Sequence, residues 1–318
     1  MAGISLVLGF VMRPKVRDTS EPATLKDFSA PTASENRPIP VIWGTVKLTG
    51  PNVTWYGDLQ TVKLMNKKAK VGLGYRYSVG MELGLCHGPI DGLLEIGFGD
   101  KSAWTGNVVG GTGSAEVTGE NFIVDNRTLF GGDSDEQLQN GGYGGVFAEC
   151  TFYKGAANQQ SNTYLSNILS TDNPGHSGVS YLVWNGPTKG NIVYNYDLAN
   201  PSIRFDREPF LGGYIGTNPR IDDIWFVLKR IPRYIESNDG NSYHDINSGD
   251  ANPIDVIYEL LTNAKFGLGL ASSFIDLESF RYAQKKIYEE GLGLSDIDRK
   301  STRLNSSHVS ESRMPSSA

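Results

Sequence analysis

The chain has 318 residues, 29 Lys and Arg against 35 Asp and Glu, and 39 % hydrophobic residues, which is room for roughly two packed domains. Its acidic balance argues against sequence-independent nucleic-acid binding, which needs a basic face to displace counterions, and no nucleic-acid-specific site is expected. Cys86 and Cys150, far apart and alone, form no disulfide framework and fit small core residues in a reducing cytosol.

The segment from Ala2 to Met12 is apolar, but at about eleven residues it is too short to span a bilayer, where about 20 are needed. It lacks a basic region before it and a small-residue cleavage site after it, so it does not read as a secretory signal. A strand or helix packed on the body or on a partner is the default, with membrane or tape-measure contact as alternatives. From Arg13 to Pro40 five prolines alternate with polar residues. Proline fixes φ and biases its predecessor away from helix, so this reads as an extended arm. An arm of this length fits better across a neighbouring subunit than inside a compact domain.

From Val41 the pattern is β. V-I-W-G-T-V-K-L-T is followed by Gly50-Pro51 and V-T-W-Y-G. Tyr75, Tyr77, Val79, Met81, Leu83 and Leu85 alternate, which predicts one apolar face, with Arg76, Ser78 and Glu82 on the other. Lys63, Lys67, Lys68 and Lys70 read as a solvated loop or strand edge. Gly88-Pro89 is a turn signal. Residues from Lys101 to Thr171 are rich in Gly and Asn and read as a β insertion or second small unit. Strands resume at Gly178–Trp184, Asn191–Tyr196 and Asp223–Arg230, the last apolar on both faces and so a central strand.

Only after Asn252 does the period become helical. Asn252 suits an N-cap, Pro253 the first helical position, and Asp255 the positive end of the dipole. Ile254, Ile257 and Leu261, widened by Leu260, predict a buried stripe. Gly267 and Gly269 stop this helix. Asp276 caps a second, whose predicted buried face is Phe280, Ala283 and Ile287, and Gly291 ends it. From Asp298 to Ala318 the apolar period vanishes, and the string reads as the in-frame translation of a sequencing-library adapter. Setting it aside leaves 25 basic and 33 acidic residues, a net charge near −8, and the expectation that the natural protein continues past Ile297.

Three blocks together resemble the tail hub proteins of long-tailed bacteriophages, the tip attachment or host-specificity protein J family. The first is N-P-I-D-V-I-Y-E-L-L-T-N-A-K-F-G-L-G (Asn252–Gly269), with I-D-L-E-S-F and E-G-L-G-L-S after it. The second is R-P-I-P-V-I-W-G-T-V-K-L-T-G-P-N-V-T-W-Y-G-D-L (Arg37–Leu59), and the third G-L-C-H-G-P-I-D-G-L-L-E-I (Gly84–Ile96). The resemblance implies a ring, a homotrimer in most members, at the distal end of a virion tail, made in the host cytoplasm. It implies β-barrel-like hub domains and, as partners, a tail tube or distal tail protein, the end of the tape measure, and a central fibre or tip. It carries over no catalytic residue. Its motif and interface positions here are Pro38, Trp43, Gly44, Trp55, Gly88, Pro89, Asn252, Pro253, Ile257, Leu261, Gly267, Gly269 and Phe280.

The expected fold is therefore mainly β with a small C-terminal α part. Residues 1–40 form an apolar segment and arm, 41–100 and 172–245 a β hub domain, 101–171 its insertion, 246–297 a helical pair, and 298–318 a non-native end. Trp43, Trp55, Tyr56, Trp104, Trp184 and Trp225 offer contact area or ordinary core packing. No cofactor or metal is expected. Cys86-His87 lacks a shared face for catalysis, and His87, His176 and His244 lack zinc spacing. G-G-T-G-S at Gly110 is no phosphate loop. D-G-N-S-Y-H-D-I-N-S-G-D (Asp239–Asp250) fails the EF-hand pattern and reads as a solvated linker. Asp133, Asp135 and Glu136 read as a solvated turn. A structural hub without enzymatic activity is the leading reading. A receptor- or glycan-binding module using Lys101–Thr171, and a cell-wall hydrolase using Glu82, Glu95 or Glu149, are the alternatives.

Overall fold

In the computed structural model, residues 22–24, 38–65, 72–111, 115–132, 137–138, 140–170, 173–189, 211–219 and 221–298 are described. The apolar segment 2–12, most of the arm, the strand expected at 191–196 and the acidic turn at 133–136 lie outside them, as does everything after residue 298.

Two antiparallel five-stranded sheets carry the fold. The first has the order β12-β1-β9-β4-β5, from Asp296–Asp298, Val41–Thr49, Ile224–Arg230, Gly92–Phe98 and Lys101–Val108. The second runs β2-β3-β8-β7-β6, from Asn52–Met65, Gly72–His87, Val179–Trp184, Val146–Tyr153 and Glu120–Asn126. The chain shuttles between them, so neither sheet is contiguous in sequence. Their facing sides share one core, with Ile42, Leu48, Ile96 and Phe226 from the first and Val79, Leu83, Phe152 and Trp184 from the second. Phe98 meets Trp184 across the layers, ring centroids 5.7 Å apart. The fold is mainly β with a small α part, as expected, but the barrel-like closure is not seen: the two sheets stack as open layers.

The alternation in β3 places Val79, Met81, Leu83 and Leu85 in that core as expected, yet Arg76, Ser78 and Glu82 on the opposite side are buried too. A second layer covers them. Helix α2, Thr163–Leu169 (after the single turn α1, Ala115–Thr118), lies over the outer side of the second sheet, where Tyr164, Leu165, Tyr181 and Val183 form their own cluster with Trp55. Nearby, residues 213–216 bond along β3, Gly213 O accepting from Val79 N at 2.9 Å. Residues 101–171, read from composition as an insertion, are woven into both sheets: β5 pairs with β4, and β7 lies between β6 and β8. Glycine content reported the turns between these strands and not their partners. The central place expected for β9 is observed, between β1 and β4.

The chain from residue 245 onward returns to the first sheet. A small hairpin, β10 (Asp245–Ile246) with β11 (Asp250–Ala251), leads into helix α3 (Pro253–Thr262) and then helix α4 (Leu277–Glu289). Strand β12 then pairs antiparallel with β1, Ile297 opposite Ile42 and Asp298 opposite Val41. The ladder therefore includes Asp298, one residue beyond the boundary set from composition. Gly44 makes this return possible. Its φ of 73° suits glycine, and a Cβ there would collide with Leu294 O and Ser295 Oγ. Ser295 Oγ accepts from Thr45 N at 3.0 Å instead. Gly88, before a cis peptide to Pro89, has the same need for space, since a Cβ would strike Lys154 O.

Candidate assembly surface

Helix α3 starts as its sequence dictates. The Asn252 side chain accepts from Ile254 N at 3.0 Å, and Pro253 occupies the first turn. The same amide donates to Tyr243 O at 2.8 Å and to Gln284 O at 3.0 Å, so one side chain caps α3 and fastens it to α4. Asp276 caps α4 by accepting from Glu278 N and Ser279 N.

The face that α3 turns inward is not the expected one. Asp255, Val256, Tyr258 and Glu259 are buried, whereas Ile257 is 46 % exposed and Leu261 only half-buried. The buried stripe expected at Ile254, Ile257 and Leu261 is thus corrected: Ile257 is exposed and Ile254 and Leu261 are half-buried, while Leu260, expected to widen it, packs against the buried cluster around Val256. The reason is a set of buried polar partners. Glu259 accepts from Trp43 Nε1 at 2.9 Å, Arg230 NH1 at 2.9 Å and Tyr234 OH at 2.7 Å, and pairs with Arg230 NH2. Arg230 NH1 also donates to Ile42 O at 3.2 Å. Burial alone would push the Glu259 carboxyl up, but the Arg230 guanidinium and the Tyr234 and Trp43 donors hold it below the usual carboxylate range. Burial likewise opposes the Arg230 charge, and Glu259 outweighs it, so its affinity for the proton rises. One turn earlier, Asp255 meets His244 Nδ1 at 2.9 Å and accepts from Gln284 Nε2 at 2.8 Å. Between these charges Val256 packs with Val41, Trp43, Ile231 and Ala251, joined by Leu260, Phe266 and Leu294.

Helix α4 is more conventional. Phe280, Ala283 and Ile287 are half-buried toward the body, with Phe280 against Tyr258 at 6.0 Å between ring centroids, and Gln284 is fully buried at their centre. The connector 263–276 begins before either glycine, because Asn263 caps the end of α3. Gly267 N then bonds to Asn263 O at 3.0 Å and Gly269 has φ 67°. The connector runs back beside α3, Leu268 N donating to Leu260 O and Leu270 N to Leu261 O, both at 2.8 Å.

These contacts leave an apolar ridge. On the connector Phe274 is 81 % exposed, Leu268 56 % and Leu270 41 %, on α3 Ile257 is exposed as well, and Tyr282 on α4 is 68 % exposed. Large exposed apolar side chains gathered on one element mark interaction surfaces. Trp43, Gly44, Asn252, Pro253, Ile257, Leu261, Gly267, Gly269 and Phe280 all belong to this helical end. Pro38, exposed, leads to Pro40, whose carbonyl accepts from His87 N at 2.9 Å, next to Gly88 and Pro89. Trp55 lies elsewhere, its ring edge-on to Tyr164 at 6.3 Å. Trp43, Trp184 and Trp225 are buried within the chain, and Trp55, Tyr56 and Trp104 half-buried. Arg230, Glu259 and Gln284 escaped the sequence reading, which weighed His244 only as a zinc ligand. Its one available signal was the spacing of Asp255 and Glu259, four apart and so on one helix face.

The remaining candidates occupy separate places. Cys86 and Cys150 are buried as thiols, and burial pushes the Cys86 thiol up to about 12. Burial lowers His87, which contacts Phe266 with ring centroids 5.4 Å apart. Glu82 meets Thr54 Oγ1 at 2.7 Å and His176 Nε2 at 3.2 Å, next to a cleft of about 70 Å³ lined by Asn52, Thr54, His176 and Tyr181. Glu95 belongs to the first sheet and Glu82 and Glu149 to the second. Asp239 accepts from Tyr243 OH and Asn241 N and pairs with Lys285, and these partners hold its carboxyl well down. Within the stretch Asp239–Asp250, expected to be a solvated linker, the part from Asp245 onward instead joins the β10–β11 hairpin, with Asn247 and Ser248 at φ 52° and 62°. Among the described residues no group of three or more His, Cys, Asp or Glu is placed to hold a metal ion, and no helix is long and apolar enough to cross a membrane.

No family model and no curated protein matches the sequence. Among solved structures, a chain from the virion of a native gene transfer agent particle is similar at 13 % identity and a TM-score of 0.30. The likeness covers 69 % of this chain and 32 % of that one, so it spans about a third of its length.

Proposed function

We propose that this chain is a structural component of a long-tailed phage or prophage virion, working in the tail tip as a hub subunit that self-assembles and joins tail tube to fibre or tip. The observation that carries the reading is the inverted α3, which spends its charged side on its own sheet and presents Ile257, with Leu268, Leu270 and Phe274 of the connector, to the outside. The exposed apolar side chains add no burial to a monomer, whereas an assembling subunit gains a dry, uncharged contact. The three sequence blocks that resemble tail hub proteins supply the class of assembly. In this role the chain performs no turnover, and receptor reading belongs to other parts of the tip.

The test is to induce or propagate the source particle, purify tails, and locate this chain by peptide mass spectrometry and antibody-gold microscopy. Label at the distal end of the tail, in a fixed ratio to a tube protein, is expected. Absence from washed particles, or clearing of cell-wall substrate in a zymogram, overturns the proposal.

A further inference from the structure

We infer that His87 is an acid-operated latch: in its neutral form it holds the connector after α3 against the end of the second sheet, and a proton on its ring releases that hold. The latch acts at the joint between the sandwich and the helical end, whatever the chain assembles with.

The ring is fixed from both sides. On the sandwich side, His87 ends β3 opposite Val179 of β8, and its backbone N–H donates to Pro40 O at 2.9 Å. On the helical side, the Phe266 ring lies against it, with centroids 5.4 Å apart and planes tilted by 42°. Phe266 in turn packs on the buried cluster around Val256, and its N–H donates to Asn263 Oδ1 at 3.3 Å. Its neighbour Lys265 reaches over the same corner. A Cβ on Gly178 would stand 3.1 Å from Lys265 Nζ, and Gly178 O accepts from Gly88 N at 2.9 Å.

Charge sets this histidine apart. Ring nitrogens of His176 and His244 each meet a carboxylate, Glu82 at 3.2 Å and Asp255 at 2.9 Å. Among the described residues His87 has no such partner. The charged groups that face it are Lys265 of the connector, Arg230 of β9 and Glu259 of α3. Glu259 is already shared by Arg230, Trp43 and Tyr234. Val179 of β8 and Pro40 of the arm bring no charge. A proton on His87 therefore places a third positive charge beside two, in a half-buried site. Burial first, then Lys265 and Arg230, hold the ring's affinity for a proton below the usual histidine value, against a smaller pull from Glu259. With the connector lifted, the ring meets water and takes the proton at its ordinary value, about 6.5. The contact is thus complete above that pH and drains away as pH falls toward the lower docked value. Glu259 titrates lower still, below about pH 4.3, so the two steps are separate. Leu268, Leu270 and Phe274 ride on the released segment, so mild acid resets the apolar surface they form.

The experiment is hydrogen exchange on the full chain from about pH 7.5 to about pH 5.5, corrected for intrinsic rates, beside an NMR titration of the His87 ring. Peptides spanning 263–274 are expected to lose protection across this range, by up to about tenfold for each pH unit that separates the docked and free values, while β7 and β8 keep theirs. His87→Phe keeps a ring against Phe266 and is expected to abolish the step. Lys265→Gln is expected to shrink it, a response that a merely structural contact would not give. His176→Gln is expected to leave it unchanged. A flat profile in the unaltered chain overturns the latch. So does a full step in His87→Phe, an undiminished one in Lys265→Gln, or one that disappears with His176→Gln. Should His87→Phe fail to fold, the titration decides: a midpoint at or above about 6.5 overturns the latch, and one below it supports it.

Discussion

The sheets and the helical end bury their side chains by opposite rules. In the sandwich, apolar residues point in: Phe226 of β9 is fully buried between two paired strands, among Ile42, Leu93 and Ile96. In α3 the buried side carries Asp255 and Glu259, and apolar Ile257 is left outside. Burial that is non-directional holds the first region, while in the second a buried, hydrogen-bonded charged pair sits beside a smaller apolar cluster and orients the helix. A charged contact fixes one orientation of the helix, because Glu259 has donors waiting only where Trp43, Arg230 and Tyr234 converge. An apolar contact alone would have let α3 roll and hide its ridge.

The largest effect should come from the first region. Phe226→Ala removes a ring from the shared core and should cost about 3–5 kcal/mol of global stability. Urea unfolding followed by tryptophan fluorescence should show one early transition, and a loss under about 1 kcal/mol would mean that the two sheets do not share a tightly packed core. In the helical end, Glu259→Ala strands the Arg230 guanidinium and should cost about 3–5 kcal/mol. Here the damage should be local. Hydrogen exchange should lose protection across α3, α4 and β12 while β7 and β8 keep theirs. The paired change Arg230→Met with Glu259→Leu should recover most of the loss, because it removes the stranded charge. A paired variant as weak as the single one would refute the ion pair as the source.

Acid sharpens the contrast. The Glu259 carboxyl is held below its unfolded value, so its contribution is complete above the ordinary glutamate range, about pH 4.3 and up, and drains away as pH falls through the lower folded value. The helical end should therefore loosen on acidification before the sandwich does. Exchange at pH 3 should report this in α3 first. The Arg230→Met, Glu259→Leu chain should show a smaller acid loss, and an equal loss would assign the effect to other carboxylates.

What the sequence disclosed follows the same division. Strand alternation found β3, because one layer's apolar side chains repeat every second residue whatever their partner, and a short run apolar on both faces found β9. Asn252, Pro253 and Asp276 were legible because capping is settled within four residues. The placing of β5 and β6 in different sheets was not, since glycine-rich turns between Gly110 and Gly145 say where a strand ends but not which strand it joins. The direction of α3 was lost for a related reason: the Ile254, Ile257 and Leu261 stripe is there, but an apolar stripe has no sign. The partners that set it, Trp43 and Arg230, lie far away in sequence, on β1 and β9. Nothing in the sequence around Glu259 therefore marked it out.

The smallest expected effect on stability tests that sign most directly. Val256 and Ile257 are adjacent in sequence but about 100° apart around α3, Val256 in the cluster with Trp43 and Ile231, Ile257 exposed. Val256→Ala should cost about 1–3 kcal/mol by removing buried methyl groups. Ile257→Ser should change the unfolding free energy of the dilute chain by no more than about 0.5 kcal/mol, as surface substitutions do. Its effect should surface only with concentration, as weaker self-association in ultracentrifugation at matched stability. If Ile257→Ser destabilised the dilute chain as strongly as Val256→Ala, the helix would be packed on the stripe after all, and the apolar surface offered to a partner would not exist.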